Sequence, residues 1–205
     1  MSLPSKKSGK SGRIKLGAKK TITAAAIAAG VCTVTVTAHG FIPGQFVLIS
    51  GVAGLTDLNN SGKGHLVVAA PTADTFTVSL TSSQTYSGSG ATAQRIIPIS
   101  EWNLNINSEY AEVTDSESGD WKEKIVSGHK DWDGDFNGFE YEGAELPPIS
   151  EALDVELDIS SAMYYSGNAI FNSVKTGVKV AGSDAVTVSG TFQGNGALIK
   201  TKAAV

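Results

Sequence analysis

The sequence predicts a mainly-β protein: a sandwich or partial barrel with one short α-helix, carrying a smaller all-β domain inserted near its start. Three observations predict it. Gly supplies 23 of 205 residues and charged residues only 18%, a composition that goes with half-buried strands and frequent turns. Apolar and polar residues alternate with period two through most of the β-branched runs. Composition also changes abruptly: from residue 21 to 93 only Asp57, Lys63 and Asp74 are charged, whereas acids and aromatic residues crowd the segment that follows.

Taken in order, residues 1–12 are mainly Ser, Lys and Gly and read as a flexible basic arm, unfolded in the free monomer. RIKLG at 13–17 is a short strand. VCTVTVT (31–37), QFVLISG (45–51), HLVVAA (65–70) and TFTVSLT (75–81) are strands separated by the turn-rich HGFIPG, AGLTDLNNSGKG and APTAD. After an SGSGATA linker, QRIIPISEWNLNI (94–106) is extended and interrupted once, at Pro98. DWKEKIVS (120–127) and HKDWDGDFNGFEYE (129–142) read as two strands. LPPISEALDV (146–155) is expected to hold the short helix, with Ser150 or the prolines at its start. DVELDIS, NAIFNSVKTGVKVA and AVTVSGTFQGNG close the fold as strands. The domain reading is therefore an arm at 1–12, a discontinuous domain at 13–20 and 94–205, and an insert at 21–93.

Side chains alternate faces along a strand. In HKDWDGDFNGFEYE this sets Asp131, Asp133, Asp135 and Asn137 on one side and Trp132, Gly134 and Phe136 on the other. The acids then stand about 7 Å apart along one face. DVELDIS repeats the design, with Asp154, Glu156 and Asp158 opposed to Val155, Leu157 and Ile159. The expectation is one sheet with an acidic face, over a core that includes Trp102, Trp132, Phe136, Val155 and Leu157.

Charge is polarised rather than mixed. The first twenty residues carry seven Lys or Arg and no acid; residues 131–158 carry ten acids and no Lys or Arg; the net charge is only −4. Cys32 is the single cysteine, so it forms no intramolecular disulfide and should pack as a small hydrophobe. The basic start has no apolar run behind it, so it does not read as a signal peptide. TAAAIAAGV (23–31) is too short to cross a bilayer. A soluble chain made in a cytoplasm is expected.

Catalytic chemistry finds little purchase. His39, His65 and His129 have no partner at metal-ligand spacing. GKSG at 9–12 lacks the strand and helix of a phosphate loop. Asp131, Asp133, Asp135 and Glu142 fit positions 1, 3, 5 and 12 of a calcium loop, but Phe136 stands where that loop needs Gly. Two acids such as Asp133 and Asp135 on one strand face are a weak mimic of a glycosidase pair. The basic arm comes without the aromatic platform of a nucleic-acid binder. No enzyme activity, cofactor or metal is expected.

The order of several short features carries a resemblance. A Ser-Gly-Lys-x-Gly arm leads into a strand (Ser8 to Gly17), and a Trp-bearing strand runs from Ile99 to Ile106. Trp102, Trp121, Gly128 and Trp132 then follow in order. This arrangement resembles the major tail tube proteins of long-tailed bacteriophages, the insert at 21–93 being a departure from them. The insert itself, through His39-Gly40, Gly44, the Gly51–Gly54 turn, Asn59 and Asp74-Thr75-Phe76-Thr77, resembles a small β-module shared by ubiquitin-activating enzymes and phage tail proteins. It implies no ubiquitin chemistry.

The tail-tube resemblance implies a structural virion protein, assembled in the bacterial host cytoplasm into the viral tail. Its copies would form stacked hexameric rings around a channel through which DNA passes without specific binding. Asp131, Asp133, Asp135, Asp154, Glu156 and Asp158 would line the lumen and repel phosphate. The long loop from Thr114 to Asp120 would reach the neighbouring ring. Its Asp115, Glu117 and Asp120 would then meet Lys6, Lys7, Lys10 and Arg13. Partners would be further copies, a tape measure protein and tail-end proteins, with no membrane insertion. The alternative is a capsid or tail decoration module that binds a host surface through its insert. Deleting 20–93 would separate the two, since a tube subunit should still assemble without it.

Overall fold

The computed structural model describes residues 12–88, 90–114, 121–160, 162–178 and 185–202, the side chains of residues 61, 126 and 127 excepted. The alternating runs become strands: β1 (Arg13–Thr21), β2 (Ala24–Ala28), β3 (Val31–Thr35), β4 (Phe46–Ser50), β5 (His65–Thr72), β6 (Thr75–Ser79) and β7 (Thr92–Ile97). They continue as β8 (Glu101–Glu112), β9 (Lys124–Phe139), β10 (Ala152–Ser160), β11 (Met163–Gly177), β12 (Thr187–Gly194) and β13 (Ile199–Lys202). All join one antiparallel sheet in the order β2-β3-β6-β5-β4-β7-β1-β10-β11-β12-β9-β8, with β13 on β11. The fold is mainly β, and its sheet is open: β2 and β8 end it with unpaired edges among the described residues.

Two hydrophobic cores form along this sheet. The first is built from residues between Ile22 and Ala93, with Cys32, Val34, Leu58, Phe76 and Val78 fully buried. The second gathers Ile14, Leu16, Ile97, Trp132, Phe136, Val155, Leu157, Phe171 and Phe192, with Trp102 and Leu104 packed against it. Strands β1 and β7 join the two, since Ile14 and Ile97 serve the second core and Ala93 the first. Lys20 pairs directly with Ala93, so the chain leaves for the first core and returns at points about 5 Å apart. A further clasp ties the two parts: the Glu145 N–H donates to the Gly44 carbonyl (2.7 Å), and Arg95 Nη2 donates to the Leu146 carbonyl (3.1 Å). Gly44 has φ +89°, and a Cβ there would stand 2.5 Å from the Gly143 oxygen, so close an approach admits only glycine.

Several expectations are corrected. No helix forms at 146–155; the only helical segment among the described residues is a 3-10 stretch at Thr56–Gly62, inside the expected AGLTDLNNSGKG loop. Pro147 and Pro148 keep the chain extended. Ser150, expected as a helix start, has φ 65° and donates its N–H to Phe171. From Ala152 the alternation is satisfied by pairing with both β1 and β11. The two strands expected at 120–127 and 129–142 are one, β9, running through Gly128. A register shift between Ser108 and Tyr110 absorbs the irregularity, and Gly128 lies so tightly against Glu109 that a Cβ would overlap it. Strand β2 was not foreseen either. It pairs with β3 through a two-residue turn, Ala29-Gly30, at φ 50° and 78°, the conformation that favours tight hairpins. No helix among the described residues is long and apolar enough to cross a membrane.

Candidate functional site

The acidic strand is best built from its register. Residues directly opposite one another in adjacent strands share a face. Asp133 pairs with Gln193, Gln193 with Ile170, and Ile170 with Ala152. Asp131, Asp133 and Asp135 therefore lie on the same face as Ala152, Asp154, Glu156 and Asp158. Three strand spacings, roughly 14 Å, separate the two acidic rows.

The other face of β9 explains why it holds this orientation. Trp132 lies over Gly194 and Phe192 over Gly134, each so closely that a Cβ on the glycine would overlap the ring. Trp132 also donates its indole N–H to the Gly196 carbonyl (2.9 Å). Rings seated on cross-strand glycines fix the register, and a one-residue slip would send every Asp inward.

The two acidic rows differ in kind. On β10, Lys15 of β1 sits opposite Glu156 and bonds both it (2.5 Å) and Asp158 (2.9 Å), with Lys19 3.5 Å from Glu156. Asp158 is only 4% exposed. Burial raises its pKa, opposed by the hydrogen bond and charge of Lys15. Glu156 and Asp158 are thus not free carboxylates on an open acidic face; they are the acidic half of an ion cluster that joins β10 to β1. Asp154 remains exposed and accepts from Asn168 Nδ2 (3.3 Å).

On β9 the acids meet amides instead. Asn103, Asn105 and Asn107 of β8 pair with Asp135, Asp133 and Asp131. Asn103 donates to Asp135 (2.9 Å), while Asn105 and Asn107 both donate to Asp133 (3.0 and 3.1 Å). Neutral amides orient these carboxylates without cancelling their charge, and no ion pair to them occurs among the described residues. Sequence reading missed this ladder, although N-x-N-x-N at 103–107 mirrors D-x-D-x-D at 131–135.

Beyond Asn107 and Asp131 the β8–β9 pair leaves the core and continues as a bare ribbon. Seven residues from Asp131 to Lys124 carry it roughly 24 Å outward. Lys124 sits 4.1 Å over the Tyr110 ring and Lys122 bonds Glu112 (3.0 Å). Ile106, Tyr110 and Ile125 are nonetheless exposed, and Trp121 at the far end is 83% exposed. A two-stranded ribbon is marginal alone in water, and this one exposes large apolar groups on both faces, Tyr110 on one and Ile125 on the other. Of the residues expected at a ring joint, Arg13 lies in β1, against Gly62. Lys6, Lys7, Lys10, Asp115, Glu117 and Asp120 lie outside the described residues.

Two of the three histidines have structural partners. His39 Nδ1 accepts from the Phe41 N–H (2.8 Å) and Nε2 faces the Thr72 carbonyl (3.2 Å), so the ring carries its proton on Nε2 and closes the His39-Gly40 turn. His65 Nε2 donates to the Leu58 carbonyl (2.9 Å), and burial lowers its pKa. Cys32 is buried in β3, and desolvation pushes its thiol up to about 11. Asp131, Asp133 and Asp135 follow a strand rather than a loop, and no group of three metal-ligating side chains occurs among the described residues. No family model matches this chain, and no curated protein matches it.

Proposed function

We propose that this chain is the major tail tube subunit of a bacteriophage, a structural virion protein whose copies form stacked hexameric rings around a DNA-conducting channel. The observation that carries this reading is the β8–β9 hairpin, which combines three features an isolated protein has no use for. Its outer strand is a free edge of twelve residues, Glu101–Glu112, able to extend the sheet into a neighbour. Its far half is a ribbon with exposed aromatic and aliphatic side chains, suited to a contact along the stack. Its core-distal face near the sheet carries Asp131, Asp133 and Asp135 with no ion pair to them among the described residues. Repeated around a ring, that row gives a channel wall that repels phosphate and lets DNA slide.

The charge partition narrows the lumen assignment to these three acids and Asp154, because Glu156 and Asp158 are paired with Lys15 and Lys19. A tape measure protein within the channel and tail-end proteins would be the other partners, and the virion tail the place of action. Sedimentation of the purified chain at rising concentration tests the reading. It requires a cooperative shift from monomer to large assemblies, seen as hollow tubes in stained micrographs. A chain that stays monomeric up to millimolar concentration, even with tail-end protein as a nucleus, contradicts it and favours the decoration module.

A further inference from the structure

A hollow of about 360 Å³ opens where β7, β1, β10 and β11 run side by side. Register brings its side chains to one face of the sheet. Lys15 stands opposite both Ile96 and Glu156, so Gln94 and Asp154, each two residues along its own strand, share that face. Glu156 and Asp154 in turn stand opposite Ser166 and Asn168. The hollow itself comes from Gly17. Strand β1 passes Gly17 at φ 66° where its register with β7 shifts, and a Cβ there would meet no atom within 4 Å. Between Gln94 and Asp154, β1 therefore contributes main chain and no side chain.

The lining is rich in acceptors. Gln94 lines the hollow and is only 5% exposed. Its Nε2 donates to the Gly17 carbonyl (2.7 Å), while its buried Oε1 has no hydrogen-bond partner among the described residues. A buried acceptor without a donor is costly. Asp154 accepts from Asn168 Nδ2 (3.3 Å), and no ion pair to it occurs among the described residues. An unpartnered oxygen near an unpaired carboxylate calls for a positive ligand. The hollow is lined by carboxylate, amide, hydroxyl and main-chain oxygens, with neither His nor Cys. Oxygen donors of mixed type and irregular placement suit calcium, which takes six to eight oxygens in flexible geometry, better than a transition metal.

We propose that this hollow is a calcium site, anchored by Asp154 and Gln94 Oε1, with Glu156 and water completing the oxygen shell. It is no cluster of three acids. One of its two carboxylates is shared with Lys15, so the site is weak, with half-saturation on the order of 1 mM. The ion ties β7 to β10 across Gly17 and so braces the join between the two cores.

The test titrates the full-length chain with calcium chloride at ionic strength held constant with NaCl. Calorimetry should show one saturable equivalent, and the thermal midpoint should rise over the same range. Asp154→Asn, at an exposed position, should weaken binding about tenfold or more, since affinity follows ligand charge. Gln94→Met, which removes the unpartnered oxygen, should weaken it too. If no saturable binding appears well above the millimolar range, the site is wrong. Binding that survives Asp154→Asn unchanged also overturns it, and puts the calcium elsewhere. Should Gln94→Met fail to fold, Asp154→Asn decides alone. Tube formation is required by the proposed function with or without calcium, so the two readings fail separately.

Discussion

Lys15 holds two carboxylates, Glu156 and Asp158, that would otherwise share a site poor in water. Lys15→Met should therefore destabilise by about 3–5 kcal/mol, the cost of leaving buried charge without its partner, read by urea unfolding at pH 7. The pH dependence has a definite sign. Burial raises the Asp158 pKa in the folded state, so the native protein binds that proton more tightly than the unfolded chain does. Its contribution to stability is fully present below the ordinary carboxylate value of 3.8 and is lost as pH rises through the folded value. The Lys15→Met deficit should accordingly shrink on acidification from pH 7 towards pH 4. Cys32 gives a second residue-level check: with its thiol pushed up to about 11, it should resist alkylation at pH 8 in the native protein and react at once in denaturant. The burial of Cys32 was legible in the alternation of VCTVTVT. The Lys15 cluster was not, because its partners lie 141 and 143 residues away and nothing local announces the pairing of β1 with β10.

At the scale of elements, β9 depends on rings seated on glycines. Gly194→Ala would drive a methyl into Trp132 and should cost about 1–3 kcal/mol, as overpacking does. Trp132→Ala should cost about 3–5 kcal/mol, with thermal unfolding as the measurement for both. On the opposite face, replacing Asp131, Asp133 and Asp135 together with Asn should leave folding intact, since the amide ladder and the ring contacts remain. Under the proposed function the same variant should assemble normally and retard DNA passage, read as slower DNA release from reconstituted particles. The two faces of β9 followed from period two alone. The Asn103–Asp135 ladder required the β8–β9 register, which the sequence leaves open because the loop between them is long. The segment at 146–155 was misread as helix for the opposite reason. Its local signals, Pro147-Pro148 and Ser150, are real punctuation, but they mark the entry to a strand that two neighbours complete.

For the whole molecule, the open sheet and its two cores explain how an insert is accommodated. Strands β1 and β7 carry the chain out and back at the paired residues Lys20 and Ala93, so residues 22–93 build the first core without breaking the second. The composition changes near residue 93, close to where the chain passes from the first core to the second. The Gly44–Glu145 clasp did not show in the sequence, since it joins two main-chain groups, and nothing local announces that the Arg95 side chain reaches the Leu146 carbonyl. What remains characteristic is an incompleteness among the described residues: an unpaired edge at β8, a ribbon reaching beyond the core, and a row of acids without counter-ions. Each is costly or useless to a single copy and ordinary within a stacked tube. Image reconstruction of assemblies grown from the purified chain tests this most directly. Rings of six should appear, with the β8–β9 sheet facing the bore and Asp131, Asp133 and Asp135 lining it. Assemblies with that row turned outward, or none at any concentration, would contradict it.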